Sequence, residues 1–160
     1  MSSSISPPFE DIAAFAAAAG DRGALLGLDP GTKTLGVAAS DLTRLVASTV
    51  ETVRRKKFRD DASRLVELVD ARAAVGLVIG LPLNMDGSEG PRVQSVRAFT
   101  RNLAQVVHVP MLLWDERLTT AQAERVLLEA DTSRKTRAQV IDQTAAAIIL
   151  QSALDRLRRL

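Results

Sequence analysis

Two carboxylate positions close apolar runs in this chain. Asp29 ends ALLGLD (24–29) and Asp115-Glu116 follow PMLLW (110–114), with no other acid inside either run. In open α/β sheets ligands gather beyond the carboxyl ends of strands, so both positions are placed to meet one, although an acid there is also an ordinary turn former. A third acid, Asp142, has a different setting. On a helix running from about 137 it shares a face with Ala138, Ala145, Ala146, Ile149 and Ala153, the small-residue side suited to close packing on a sheet. An acid on such a face needs a partner or a metal, unless it only serves the positive end of its helix. The chain has no cysteine and one histidine. Three converging carboxylates would therefore make an all-oxygen site of the kind Mg²⁺ or Mn²⁺ prefers. Such ions activate water and stabilise the leaving oxygen in phosphodiester cleavage without a covalent nucleophile.

The turn after Asp29, Pro30-Gly31-Thr32-Lys33-Thr34, offers the complementary chemistry. Its glycine permits close backbone approach, and Thr32 and Lys33 supply donors to a phosphate. Two basic clusters extend that theme: Arg54, Arg55, Lys56, Lys57 and Arg59 place five charges in six positions, and Arg134, Lys135 and Arg137 add three more. Either could neutralise backbone phosphates or stand as a solvated loop. Aromatic residues are 3% of the chain and tyrosine is absent, so recognition by shape and phosphate is expected rather than base stacking. Asn84, Asp86 and Ser88 occupy a loop long enough to touch substrate, though turn formation explains them as well. Met85, Trp114 and His108 are assigned to packing or surface.

These residues need a scaffold. The patterns give strands at 24–29, 34–40 and 46–53, joined closely enough for an antiparallel meander. A helix follows with Ala62, Leu65, Val66, Val69 and Ala73 on one stripe. VGLVIGL (75–81), apolar on both faces, reads as a central strand covered by helices on each side. Pro91 suits a helix start, and Val93, Val96, Thr100, Leu103 and Val107 line the face that follows. The fifth strand is 110–114. Thr119 with Gln122 and Thr136 with Gln139 have capping-box spacing for the last two helices. The order predicts an α/β layer fold with a five-stranded mixed sheet.

At 160 residues, 46% hydrophobic and 25% charged, the chain has the size of one domain and is too apolar for general disorder. Residues 1–23 form an N-terminal extension with a short helix over 9–19, and the domain proper occupies 24–160. The net charge is +2, yet beyond residue 28 the chain carries 20 basic against 16 acidic residues, a weak pointer to a polyanion. No apolar run reaches the roughly 18 residues of a membrane span, and without a basic leader the start is a poor secretory signal. A cytoplasmic protein with no membrane partner is expected.

Four blocks, LGLDPGTKTLGVAASD (26–41), VIGLPLNMDGSEGPRVQSVRAF (78–99), LLWDERLTTAQAERVLLEA (112–130) and SRKTRAQVIDQTAAAIILQSALD (133–155), resemble in order the YqgF/RuvX family. Its members are described as pre-16S rRNA nucleases or Holliday-junction-resolvase-like proteins. The resemblance implies an RNase H-like fold with helices on both faces of a sheet ordered 3-2-1-4-5. It also implies that Asp29, Glu116 and Asp142 are catalytic and bind the metal, that Asp115 and Arg117 support them, and that Lys33 contacts phosphate. Thr32, Arg54, Arg55, Lys56, Lys57, Arg117, Arg134 and Lys135 complete the expected nucleic-acid surface. Where many RNase H-like enzymes carry an acid on the strand after the first helix, VGLVIGL has none. In that order the fifth strand lies about 10 Å from the first at ~4.8 Å per strand, so Glu116 must reach inward. The expected substrate is precursor rRNA, with branched DNA as an alternative and ribosomal particles as possible partners for a monomer or homodimer. A non-catalytic RNA-binding or assembly factor is the competing reading. An actin-like or sugar-kinase ATPase, also suggested by D-x-G-T, would need two related halves and a second phosphate loop, and the chain has no internal repeat.

Overall fold

The structure, a computed structural model, describes residues 7–119 and 144–160. Strands β1 (Leu25–Pro30), β2 (Thr34–Ser40) and β3 (Ala47–Arg54) form an antiparallel meander. Strands β4 (Gly76–Leu81) and β5 (Met111–Asp115) add parallel to β1 and to each other. The order is β3-β2-β1-β4-β5. Short turns suffice for the meander, whereas parallel pairing needs crossovers, and helices α2 (Phe58–Arg72) and α3 (Pro91–Leu103) supply them. The other described helices are α1 (Ile12–Ala19) and α4 (Ala145–Leu157).

Strand alternation divides the core in two. Leu26 and Leu28 of β1, Leu77 and Ile79 of β4, and Met111 and Leu113 of β5 face α2 and α3. Leu25, Val78, Leu112 and Trp114 face the other way, toward α1 and α4, in a cluster closed by Phe15, Ile149, Leu150 and Ala153. All six residues of β4 are buried, as its two-sided apolar run predicts. The five-stranded mixed sheet flanked by helices on both faces is thus as expected.

Four local readings are corrected. On α2 the buried stripe is Asp61, Ala62, Leu65, Leu68 and Val69, with Val66 half-buried and Ala73 exposed. The helix stops at Arg72, and Ala73 turns left-handed at φ 49°, so a position eleven residues beyond Ala62 no longer lies on the helical face. The N-terminal helix begins at Ile12 rather than Phe9, because Asp11 caps it by accepting from the Ala13 amide at 3.1 Å. Thr144 is extended at ψ 156° and accepts from the Ala147 amide, so α4 starts at Ala145 and no continuous helix joins 137 to 153. A threonine hydroxyl that satisfies an orphan amide competes with helix continuation. On α3 Val93, Val96, Thr100 and Leu103 are buried as expected and Phe99 joins them, but the helix ends at Leu103, so Val107, also buried, lies beyond it.

The segment before β1 is packed onto the sheet. Phe9 pairs beside β5, its amide donating to Met111 O at 2.7 Å while Leu113 N donates to Phe9 O at 2.8 Å. Arg44, buried at the β2–β3 turn, donates to the carbonyls of Gly20, Arg22 and Gly23. Desolvation lowers its pKa from the ordinary arginine value.

Candidate active site

Asp29 occupies the penultimate position of β1 and pairs with Gly36 of β2. Alternation turns its side chain to the face that α4 covers. A Cβ built on Gly36 would lie 3.6 Å from Asp29 Cβ and 3.4 Å from Ala146 Cβ, so the acid stands beside the first turn of α4. Asp29 is half-buried. Glu116 opens a single 3-10 turn, Glu116–Leu118, directly after β5 and is 1% exposed. It shares the face of Trp114, two residues earlier. Its carboxylate leans over β4, because a Cβ on Gly80 would meet Glu116 Oε1 and Cγ at 3.3 Å each. Gly80 pairs with Trp114 on β5.

The inward reach required of Glu116 therefore has a structural cause. The α4-facing slot of β4, where a side chain would otherwise project, is a glycine, and Ile149 Cδ1 of α4 shares the space with the Glu116 side chain. Isolated glycines within strands mark such close approaches. The signal in VGLVIGL is its second glycine, although nothing near it in sequence points to Glu116 as the side chain it admits. Gly27 of β1 has the same function toward the helix, since a Cβ there would stand 2.7 Å from Leu150 Cβ and 2.9 Å from Ala146 O. Glycines at 27, 36 and 80 thus clear one sheet face and let the start of α4 settle close to the two acids.

The remaining expected residues divide into three groups. Asp115 accepts from the Arg117 amide at 2.9 Å and from its guanidinium, with Nη2 at 2.8 Å. Arg117 Nη1 also reaches Met85 O at 3.3 Å, so this arginine ties the end of β5 to the 82–90 loop. Its bonds to Asp115 raise its pKa above the ordinary value. The loop itself is closed by Asn84 Nδ2 to Ser88 Oγ at 2.9 Å, Ser88 Oγ to Asp86 Oδ1 at 2.6 Å, and a left-handed Gly87 at φ 88°. The Ser88 hydroxyl and amide hold Asp86 below the usual carboxylate pKa. Met85 and His108 are exposed and Trp114 is buried.

Around the Pro-Gly turn, Thr32 and Lys33 are exposed, and Gly31 has no room for a side chain because a Cβ would sit 2.8 Å from Thr34 O. Arg54, Lys56, Lys57 and Arg59 are exposed, but Arg55 turns inward. Its Nη1 donates to Gly31 O at 2.6 Å, its guanidinium carbon lies 5.0 Å from the Phe99 ring centre, and its Nε is 3.7 Å from buried Asp61. Arg55 thus braces the turn. Arg134, Lys135, Arg137 and Asp142 lie outside the described residues. Because the helix carrying Ala145, Ala146, Ile149 and Ala153 begins at Ala145 behind the extended Thr144, helical periodicity no longer links residue 142 to that face. What remains is the match of residue 142 to the family block.

A hard divalent cation fits the donors present. Asp29 and Glu116 are oxygen donors at one end of one sheet face, Asp29 beside Gly36 and Glu116 over Gly80. Among the described residues no group of three histidine, cysteine or acidic side chains is gathered closely enough to hold a metal, so a complete site needs a further ligand.

Comparison with known proteins gives a consistent picture. Residues 23–156 match the family model RuvX, described as Holliday junction resolvase. A protein of Paracoccus denitrificans (strain Pd 1222) is 61% identical over 149 residues, covering 93% of this chain and 94% of its own, and is named "Putative pre-16S rRNA nuclease". A protein of Cereibacter sphaeroides (strain KD131 / KCTC 12085) with the same name is 64% identical over 135 residues, 84% of each chain. Among solved structures, T. thermophilus RuvC in complex with Holliday junction substrate superposes with a TM-score of 0.51 at 15% identity, covering 84% of this chain and 94% of that one. At that identity the likeness concerns the fold.

Proposed function

The chain belongs to the RuvX family and is a nuclease that hydrolyses phosphodiester bonds, and from that premise we propose that it acts with a divalent metal on structured nucleic acid, processing the ends of pre-16S rRNA. The observation that carries this reading is the placement of Asp29 and Glu116 on one glycine-cleared face at the carboxyl end of the sheet. Mg²⁺ or Mn²⁺ held there supplies charge stabilisation and water activation for phosphodiester hydrolysis. Asp142, matched through the family block, is proposed as the third ligand. Asp115 and Arg117 position the turn that carries Glu116, and Arg117 also fixes the neighbouring loop.

Lys33, exposed on the turn next to Asp29, orients a phosphate toward the acids, and Thr32 beside it offers a further donor to the nucleic-acid backbone. Arg54, Lys56 and Lys57 add attraction for the backbone, with Arg134 and Lys135 proposed for the same role. No helix of the described residues is long and apolar enough to cross a membrane, and a cytoplasmic site of action accords with a ribosomal RNA substrate. An RNA end can be trimmed by a monomer, whereas a two-fold symmetric DNA junction calls for a homodimer.

The test is cleavage of a pre-16S rRNA fragment and of a four-way DNA junction side by side, with Mg²⁺, with Mn²⁺ and with chelator, by the wild type and Asp29→Asn. Cleavage of the RNA that requires metal and disappears in the variant is expected. Unchanged activity in Asp29→Asn removes the site, and preferential junction cleavage reassigns the substrate.

A further inference from the structure

On the face opposite the two acids, a cleft of about 420 Å³ opens between the Pro-Gly turn, the end of β3 and the start of α3. Gly31, Thr32, Arg55, Lys56, Arg92 and Ser95 line it above an apolar floor. Three cations meet there. Buried Asp61 is the one carboxylate that contacts them in the described residues, through Arg55 and the Lys56 amide at 3.0 Å. Arg92, on the first turn of α3, donates through Nη2 to Pro30 O at 3.1 Å. Arg55 is held by Gly31 O and the Phe99 face, as described. A guanidinium has five N–H donors. These contacts fix both forks and engage a minority of the donors, and Lys56 and Ser95 have no side-chain bond to protein among the described residues.

We infer that this cleft binds a backbone phosphate of the nucleic-acid substrate, on the far side of the sheet end from the bond that is cut. The inference rests on the nuclease reading and deepens it. A cleft lined by two anchored arginines, a lysine and two hydroxyls has the chemistry of a phosphodiester site. Its Phe99 floor lies beneath Arg55, which leaves no open ring for a base to stack on. One turn serves both sites. Asp29 and Pro30 are consecutive and their side chains leave opposite faces of β1, so a strand draped over the turn meets the acids on one side and the cations on the other. The bonds from Arg55 and Arg92 to Gly31 O and Pro30 O couple occupancy of the cleft to the position of that turn.

The test uses the full chain in chelator with a short duplex RNA in which a neutral methylphosphonate is walked along one strand. For the wild type, neutralising one particular phosphate is expected to weaken binding. The Lys56→Ala/Arg92→Gln variant should bind more weakly overall, ignore that substitution, and show a salt slope smaller by about one unit. Arg92→Lys should recover part of the sensitivity. Ser95→Ala, which disturbs no protein contact, serves if the double variant melts early. Should wild type and variants respond to the same positions, the cleft is not a substrate site. Protection of the wild type by inorganic phosphate with no matched position in the walk would make it a small-anion site and overturn the proposal. Metal-dependent cleavage by the same preparation separates the two failures: cleavage without a matched position removes the cleft alone, whereas neither binding nor cleavage removes the nuclease reading with it.

Discussion

The two faces of this sheet solve opposite problems with the same strands. Toward α2 and α3, β1 and β4 present Leu26, Leu28, Leu77 and Ile79, all fully buried, and packing fills the space. Toward α4 the same strands bury Leu25 and Val78 but turn to Gly27 and Gly80 nearer the carboxyl end, with Gly36 alongside on β2, and the space there admits Leu150, Ile149 and a carbonyl of α4 beside the two carboxylates. Large side chains fill one face throughout, and glycines open the carboxyl end of the other around the two acids. Charges at the carboxyl end follow suit, acids over the glycines and cations over the leucine-rich core.

The comparison breaks most sharply at Asp29. Replacing it with Asn should reduce metal-dependent cleavage at least about 100-fold, the scale of losing one preorganised charge-stabilising group, while the metal-free protein melts at or above the wild-type temperature because a crowded charge is gone. A variant that melts lower and cleaves normally would make Asp29 structural. Next come paired substitutions on adjacent residues of β1. Leu28→Ala should cost about 2–5 kcal/mol by opening a cavity. Gly27→Ala should cost about 1–3 kcal/mol by overpacking, since its Cβ meets a helix carbonyl at 2.9 Å. Urea unfolding of both variants checks whether emptying one face and filling the other are each destabilising.

Gly80→Ala sharpens the contrast further. Its Cβ would press on Ile149 Cδ1 at 2.6 Å and on Glu116 at 3.3 Å. The isoleucine terminus can yield, so stability should fall by only about 1 kcal/mol. Cleavage should nevertheless fall about tenfold, because a displaced catalytic group is more costly than a displaced methyl. Equal effects on Tm and turnover would show that Glu116 is not positioned by this glycine. The smallest effect is expected at the other end of the sheet. Hydrogen bonds from Thr43 and from the Val46 and Leu45 amides hold Asp41 at a pKa of about 2, against an ordinary 3.8. A depressed folded-state pKa contributes stability that is present above about pH 4 and is lost as the pH falls toward 2. Asp41→Asn should remove that part of the acid dependence and leave cleavage at neutral pH unchanged.

Much of this arrangement was legible in the residues. Apolar runs ending in acids located Asp29 and Glu116, and alternation within β1 and β4 specified two-sided burial. The family blocks supplied the sheet order. The illegible parts share one physical cause, which is that they depend on partners distant in sequence. Nothing near Arg55 distinguishes it from Arg54 or Lys56, and it turns inward because Gly31 O and Phe99 are there to receive it. Gly80 lies within a run read only as a buried central strand, and what its missing side chain admits depends on Ile149 and Glu116, both distant in sequence. Thr144 and Thr136 offer the same hydroxyl, and in an alanine-rich stretch periodicity does not choose between them as a helix start. Arg92 and Ser95 followed a recognised helix signal at Pro91, yet their relation to Thr32 and Lys56 exists only after the sheet has formed.

The pairing of Phe9 with β5 has a consequence for solubility. β5 is the last strand in the sheet order, and an outermost strand is a template on which another chain can add. By occupying Met111 O and Leu113 N, Phe9 caps the middle of that template with the protein's own backbone. Glu10 reinforces the seal through its 2.9 Å ion pair with Arg97 on α3. Removing residues up to 10 would uncover two hydrogen-bonding groups beside Leu112 without touching either the acid-bearing end of the sheet or the cation-lined cleft, and the truncated chain would self-associate at concentrations where the full chain stays dispersed.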